Sequence, residues 1–124
     1  MMNGVCFGNI AIDCKDARKL QDFYVGILGW EKCEMYGCPA IKSQNGIVFL
    51  FMQADDFDYA KPVWPEESGK QQKQMHFDFQ VDDLSEAVTQ AQAIGAVKPE
   101  KQYGGNDWVT MLDPEGHPFC LCAK

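Results

Sequence analysis

The feature that most constrains this sequence is an internal repeat. The segment that begins at Asn9 resembles the one that begins at His76, 67 residues later. Both segments alternate polar and apolar residues, which indicates a β-strand with one buried face. Each then runs into an apolar stripe of helical spacing that follows an aspartate, Asp16 or Asp83, and aspartate is a favourable helix N-cap. The repeat therefore predicts two copies of one strand–helix unit.

Strand-like segments follow each helix, and turn-forming residues separate them. Gly29 and Gly95 are placed where a helix is expected to stop. The strands are predicted at about Glu31–Tyr36, Pro39–Ser43, Ile47–Gln53, Val97–Tyr103, Asp107–Leu112 and Pro118–Cys122. The fold class is thus predicted to be α+β, with two βαβββ repeats.

The segment between the two copies is expected to be a linker, because it is rich in proline and polar residues. The predicted organisation is one domain over residues 1–124, with a first unit at 1–53, a linker at 54–74 and a second unit at 75–124. The linker also carries Phe57, Tyr59 and Trp64. These rings either pin the linker to the body of the protein or form a wall of a pocket.

Charge and composition exclude several classes of partner. The formal net charge of the 124 residues is −7 and the isoelectric point is near 4.6, which argues against nucleic acid and anionic membrane as partners. The sequence shows no signal-peptide pattern and no apolar run near the roughly 18 residues of a membrane span. The six cysteines are therefore expected to be reduced thiols in a cytoplasmic protein.

Three stretches in a fixed order carry a resemblance to a known superfamily. They are the first strand and helix through Gly29-Trp30, then His76-Phe-Asp-Phe-Gln-Val-Asp-Asp-Leu84, and then Trp108 followed by Asp113-Pro-Glu-Gly-His-Pro-Phe-Cys120. In this order and spacing they resemble the glyoxalase/bleomycin-resistance/dioxygenase superfamily, also called vicinal oxygen chelate. The second stretch is most similar to its glyoxalase-like domain subgroup.

The resemblance implies that the two units form a cupped mixed sheet around a binding site. Metal-dependent members of the superfamily place ligands on the first and last strand of each unit. The matching positions in this chain are Asn9, His76, Cys120 and one of Leu50 and Met52. Because asparagine and apolar side chains are poor metal ligands, we expect no cofactor. A divalent metal held by His76 and Cys120 is the alternative.

We expect the protein to bind a small molecule in the cup without the usual metal and to form a homodimer. The side chains predicted to bind the ligand are Asn9, Met52, Trp64, His76, Asp78, Trp108 and Cys120. His76 and Asp78 share a strand face, so they are also the candidates for an acid–base pair. The alternative function is a metal-dependent lyase, isomerase or dioxygenase with an atypical His76/Cys120 site.

Overall fold

The helices and strands of the computed structural model follow the repeat. Residues 1–55 and 58–124 are described, so the predicted linker residue Phe57 lies outside the described part. The chain divides into two compact units, Met1–Phe57 and Asp58–Lys124. The boundary falls inside the segment that the sequence predicts as a linker, and residues 58–74 belong to the second unit.

The first unit is a four-stranded mixed sheet with one helix. Its elements are β1 (Ile10–Cys14), α1 (Ala17–Leu28), β2 (Glu31–Met35), β3 (Cys38–Lys42) and β4 (Val48–Gln53). The strand order is β1-β4-β3-β2, with β1 parallel to β4 and the other pairs antiparallel. The predicted helix ends are confirmed: Asp16 accepts a hydrogen bond from the Lys19 backbone N–H at 3.1 Å, and Gly29 is left-handed with φ of 67°.

Aromatic packing between α1 and β4 forms the core of the first unit. Tyr24 is fully buried and stacks on Phe51 with ring centroids 5.9 Å apart. Phe23 and Phe49 meet the same ring edge-on. Such rings bury large apolar areas and add stabilising ring contacts, which explains how a 12-residue helix is held on this sheet.

The second unit repeats the plan with a three-stranded sheet. Its elements are β5 (Phe77–Val81), α2 (Leu84–Ala93), β6 (Trp108–Leu112) and β7 (Pro118–Ala123). The order is β5-β7-β6, with β5 parallel and β6 antiparallel to β7. The Asp83 carboxylate caps α2 by accepting the Glu86 backbone N–H at 3.0 Å.

Strand register divides this sheet into an apolar face and a polar face. Phe77 pairs with Phe119, while the next residues, Asp78 and Cys120, pair with each other. Thr110 of β6 is the other partner of Cys120. Because alternate residues of a strand point to opposite faces, the phenylalanines share the face on which α2 packs, and Asp78, Cys120 and Thr110 share the opposite face.

The prediction of a strand at about Val97–Tyr103 was wrong. Only an isolated bridge between Val97 and Leu112 forms there. Pro99 has no N–H to donate to a sheet, and the side chain of Gln102 takes the place of a strand backbone. Its amide oxygen accepts the Thr110 N–H at 2.8 Å, and its amide nitrogen donates to the carbonyl of Thr110 at 2.9 Å.

The predicted fold class is confirmed: the fold is α+β, and residues 1–55 and 58–124 form two helices and two small mixed sheets. Neither helix in the described residues has the length and apolar character needed to span a membrane.

Candidate functional site

An open cavity of about 350 Å³ lies on the polar face of the second sheet. Its floor consists of strand residues that share this face, because β6 and β7 bring Thr110, Cys120 and Cys122 into register. Its walls come from loops and from the first residue of β6. The lining residues are Trp64, Lys73, His76, Asp78, Tyr103, Trp108, Thr110, Pro118, Cys120 and Cys122. This volume falls within the usual range for small-molecule sites.

Five of the seven predicted ligand-binding residues line this one cavity. They are Trp64, His76, Asp78, Trp108 and Cys120. The other two belong to the first unit. Asn9 is half-buried just before β1, and Met52 lies on β4 with 42% of its surface exposed.

His76 and Asp78 contact each other at the cavity. Nε2 of His76 lies 3.2 Å from Oδ1 of Asp78. The pair forms because β5 places residues two apart on the same face. The side chains are 38% and 62% exposed, so both are open to a ligand. A carboxylate next to an imidazole is an arrangement that can orient the imidazole and assist proton transfer.

Two thiols form part of the cavity floor. Sγ of the buried Cys120 lies 3.6 Å from Oγ1 of Thr110. Burial raises the pKa of the Cys120 thiol, and the nearby Asp78 carboxylate adds to the increase. Burial and then Asp78 likewise raise the pKa of Cys122. These effects favour the protonated thiol at both residues, and the thiol is the less nucleophilic form of cysteine.

Three aromatic rings form the walls. Trp64 and Tyr103 meet edge-to-face with centroids 6.1 Å apart. The Lys73 ammonium lies 4.7 Å from the centroid of the Trp64 ring. The Trp64 indole N–H is buried and has no hydrogen-bond partner among the described residues, so this residue interacts chiefly through its ring.

The third ring, Trp108, rests on a glycine. A Cβ atom at Gly104 would lie 2.2 Å from the Trp108 carbonyl oxygen and 2.6 Å from its indole ring. Such distances are far below van der Waals contact, so only glycine fits here. The backbone of the loop before β6 therefore acts as the support that fixes the Trp108 wall.

The two described aromatic residues of the predicted linker, Tyr59 and Trp64, divide between the two roles considered for them. Tyr59 attaches the segment to the second unit, because its hydroxyl donates to the Glu115 carbonyl at 2.9 Å and lies 3.1 Å from Nε2 of His117. Trp64 instead lines the cavity. The chain around Trp64 folds back on itself, with the Val63 N–H bonded to the Gln71 carbonyl at 2.8 Å.

Sequence reasoning missed several lining residues. Strand parity would have found Thr110, two residues after Trp108, and Pro118, two residues before Cys120. Cys122, two residues after Cys120, would have been found in the same way. Lys73 and Tyr103 come from irregular segments, and no periodicity in the sequence indicates them.

His76, Asp78 and Cys120 also form a possible set of metal ligands. One donor atom from each lies within 4.8 Å of the others. Nitrogen, oxygen and sulfur donors together suit zinc, whereas manganese and magnesium favour oxygen. The set fits zinc in its chemistry. Donors of a tetrahedral zinc site are roughly 3–4 Å apart, given bonds of about 2.0–2.3 Å, so Cys120 would have to approach and lose its proton.

Comparison with known proteins identifies the same fold throughout the chain. A hypothetical protein from S. aureus is 12% identical, with a TM-score of 0.68 over 100% of this chain and 95% of the other. A glyoxalase/bleomycin resistance protein/dioxygenase family enzyme from Burkholderia phytofirmans is 15% identical, with a TM-score of 0.66 over 94% and 96%. No match was found among proteins of curated function.

A third similar structure contains a metal. It is a mutant of the fosfomycin resistance protein FosX from Listeria monocytogenes, complexed with Mn(II) and 1S,2S-dihydroxypropylphosphonic acid. It is 20% identical, with a TM-score of 0.64 over 98% of this chain and 90% of the other. At such identities the likeness establishes the fold alone.

The sequence itself establishes the family. The family described as "Glyoxalase-like domain" matches residues 9–122, which is most of the chain and includes both copies of the repeat. The structural neighbour from Burkholderia phytofirmans carries the glyoxalase/bleomycin resistance/dioxygenase name, in agreement with the resemblance found in the sequence. The chain therefore belongs to the glyoxalase-like domain family of this superfamily.

Proposed function

We propose that the protein binds a small organic molecule in the cavity of its second unit. The observation that supports this most is the composition of the cavity: aromatic walls from Trp64, Tyr103 and Trp108 surround a few convergent polar groups. Ligand sites typically combine a concave apolar surface with a small number of fixed polar side chains. The walls would supply affinity, while His76 and Asp78 would orient the ligand.

Replacing Trp108 with leucine is expected to weaken ligand binding by about tenfold, since an aromatic wall contributes on the order of 1 kcal/mol beyond simple burial. Ligand-observed NMR with a library of soluble fragments would first identify binders. Their dissociation constants would then be compared between the wild-type protein and the Trp108→Leu variant.

The matched control is Trp30→Leu, because it makes the same chemical change in the first unit, where Trp30 packs on Phe49. Binding should persist in this control. A library that yields no binder to the wild-type protein, or binders that are insensitive to Trp108→Leu, would contradict the proposed function.

Assembly and location are parts of the same proposal. We expect a homodimer, as a small chain gains burial by pairing, and multi-angle light scattering of the purified protein would reveal a monomer if this is wrong.

We also expect a cytoplasmic location, since all six cysteines are free thiols and such thiols are typical of a reducing compartment. Labelling of intact cells with a thiol reagent that cannot cross membranes would contradict this location if it modified Cys6.

A second candidate function is metal-dependent catalysis as a lyase, isomerase or dioxygenase. It rests on the closeness of the possible ligands His76, Asp78 and Cys120. A divalent metal held by these side chains would polarise oxygen atoms of a bound substrate. Two properties oppose it: His76 and Asp78 already contact each other at 3.2 Å, and burial raises the pKa of the Cys120 thiol, which opposes formation of the thiolate that a metal needs.

Metal analysis separates the two candidates. We expect protein purified without chelators or a metal-binding tag to contain well under one metal per chain by plasma mass spectrometry, even after incubation with zinc, nickel, manganese or iron(II). Near-stoichiometric metal that disappears in both His76→Ala and Cys120→Ala would instead favour catalysis. Cys6→Ala is the control, because Cys6 is exposed and outside the donor set.

A further inference from the structure

The charges and rings of the cavity indicate what kind of molecule it accepts. Three of its lining side chains are basic or acidic: Lys73, His76 and Asp78. Lys73 already has a counter-ion, because its ammonium is paired with the Glu66 carboxylate. Asp78 lies beside His76, with Nε2 of the imidazole 3.2 Å from Oδ1 of the carboxylate. Asp78 is the carboxylate among the described lining residues, and its side chain is 62% exposed and therefore open to a ligand.

The aromatic walls favour cations as well. The faces of tryptophan and tyrosine rings are electron-rich and attract an ammonium group within about 6 Å of the centroid. Two of these rings already contact an ammonium group of the protein. Nζ of Lys73 lies 4.7 Å from the centroid of the Trp64 ring, and Nζ of Lys101 lies 5.7 Å from the centroid of the Tyr103 ring. Trp108 remains 38% exposed.

Building on the proposed small-molecule function, we propose that the cavity selects organic cations: ligands with an alkylated ammonium group on a compact apolar body. The ammonium group contacts the ring faces of Trp64 and Trp108, and the Asp78 carboxylate provides the opposite charge. An anionic ligand would meet the same carboxylate and the same electron-rich faces, so it is disfavoured.

Lys73 acts in this scheme as a built-in occupant. Its side chain is only 19% exposed, and its ammonium lies over the Trp64 ring, where a ligand cation would also bind. A ligand cation can displace the Lys73 ammonium from the Trp64 ring without leaving that ammonium unpaired, because it already donates a hydrogen bond to the Glu66 carboxylate. Removal of the Lys73 charge should therefore improve the binding of a cation.

Three probes of the same shape and different charge test the proposal: choline, its neutral isostere 3,3-dimethylbutan-1-ol, and 3,3-dimethylbutanoate. Titrations would be followed by NMR of the three tryptophan indole N–H signals. Trp64 and Trp108 report on the cavity, and Trp30 of the first unit serves as the internal control. Choline is expected to bind about threefold to tenfold more tightly than the alcohol, with the carboxylate weakest.

Charge variants add a second readout. Asp78→Asn should remove most of the preference for choline over the alcohol, and Lys73→Met should strengthen choline binding severalfold. The control is Asp82→Asn, which neutralises a carboxylate that pairs with Lys124 outside the cavity and should leave the preference unchanged.

Equal or tighter binding of the alcohol or the carboxylate would overturn the cation proposal, as would a choline preference that survives Asp78→Asn. Absence of any shift of Trp64 or Trp108 with choline would overturn it too. The fragment library keeps the two proposals distinct. Fragments that bind through Trp108 without enrichment in cations refute only the cation proposal, whereas a library without binders refutes both.

Discussion

Substitution of Gly104 by alanine is expected to lower the free energy of unfolding by about 3 kcal/mol, the upper end of the cost of overpacking. The added methyl group would lie 2.2 Å from a backbone oxygen and 2.6 Å from the indole ring of Trp108. A rigid backbone atom cannot move aside as the end of a flexible side chain does. The loop before β6 must therefore shift, and the Trp108 wall of the cavity must shift with it.

Chemical denaturation followed by circular dichroism would measure this loss. Gly8→Ala is the matched control, because its new methyl group meets nothing within 4 Å and should change stability by under about 0.5 kcal/mol. Ligand binding by the Gly104→Ala variant should fall together with its stability. A variant as stable as the wild type would show that the loop does not hold Trp108 in this position.

Truncation of Phe119 to alanine is expected to cost about 3–5 kcal/mol, the usual range for a buried phenylalanine. Phe119 is fully buried on the central strand of the second sheet and packs on Phe79 with centroids 5.9 Å apart. Its neighbour Cys120 lies on the opposite face, in the floor of the cavity. Since small domains are stable by only about 5–15 kcal/mol, much of the second unit's stability should be lost.

Urea titration of this variant, compared with Phe7→Ala, tests the estimate. Phe7 is 76% exposed, and its truncation should leave the unfolding midpoint close to that of the wild type. Phe119→Leu should lose far less than Phe119→Ala, because it keeps most of the buried volume. Equal effects of Phe119→Ala and Phe7→Ala would contradict the assignment of Phe119 to the core.

Sequence reasoning succeeded where the local chemistry repeats along the chain. The aspartates at 16 and 83 predict the starts of both helices because a capping carboxylate works through neighbouring backbone N–H groups. Alternation predicts β1 and β5, and parity places His76 and Asp78 on one face. These signals need no knowledge of which strands pair.

Sequence reasoning failed where distant contacts replace local ones. A hydrogen-bonding side chain, Gln102, substitutes for a strand backbone at Thr110, so the pattern at 97–103 resembles a strand that does not form. Lys73 lies in a polar run that is typical of a solvated linker, yet its ammonium is held by Glu66 and the ring of Trp64. Neither arrangement produces a periodic pattern in the sequence.

The side-chain amide of Gln102 has a consequence for solubility. β6 is an edge strand of its sheet, and an open edge can recruit strands from other molecules and start aggregation. Gln102 occupies the N–H and C=O groups of Thr110, and Val97 bonds those of Leu112. The edge is thus occupied at these two residues, although no full strand covers it. We expect loss of the Gln102 side chain to leave the backbone groups of Thr110 open to a strand from another molecule, which is a route to aggregation.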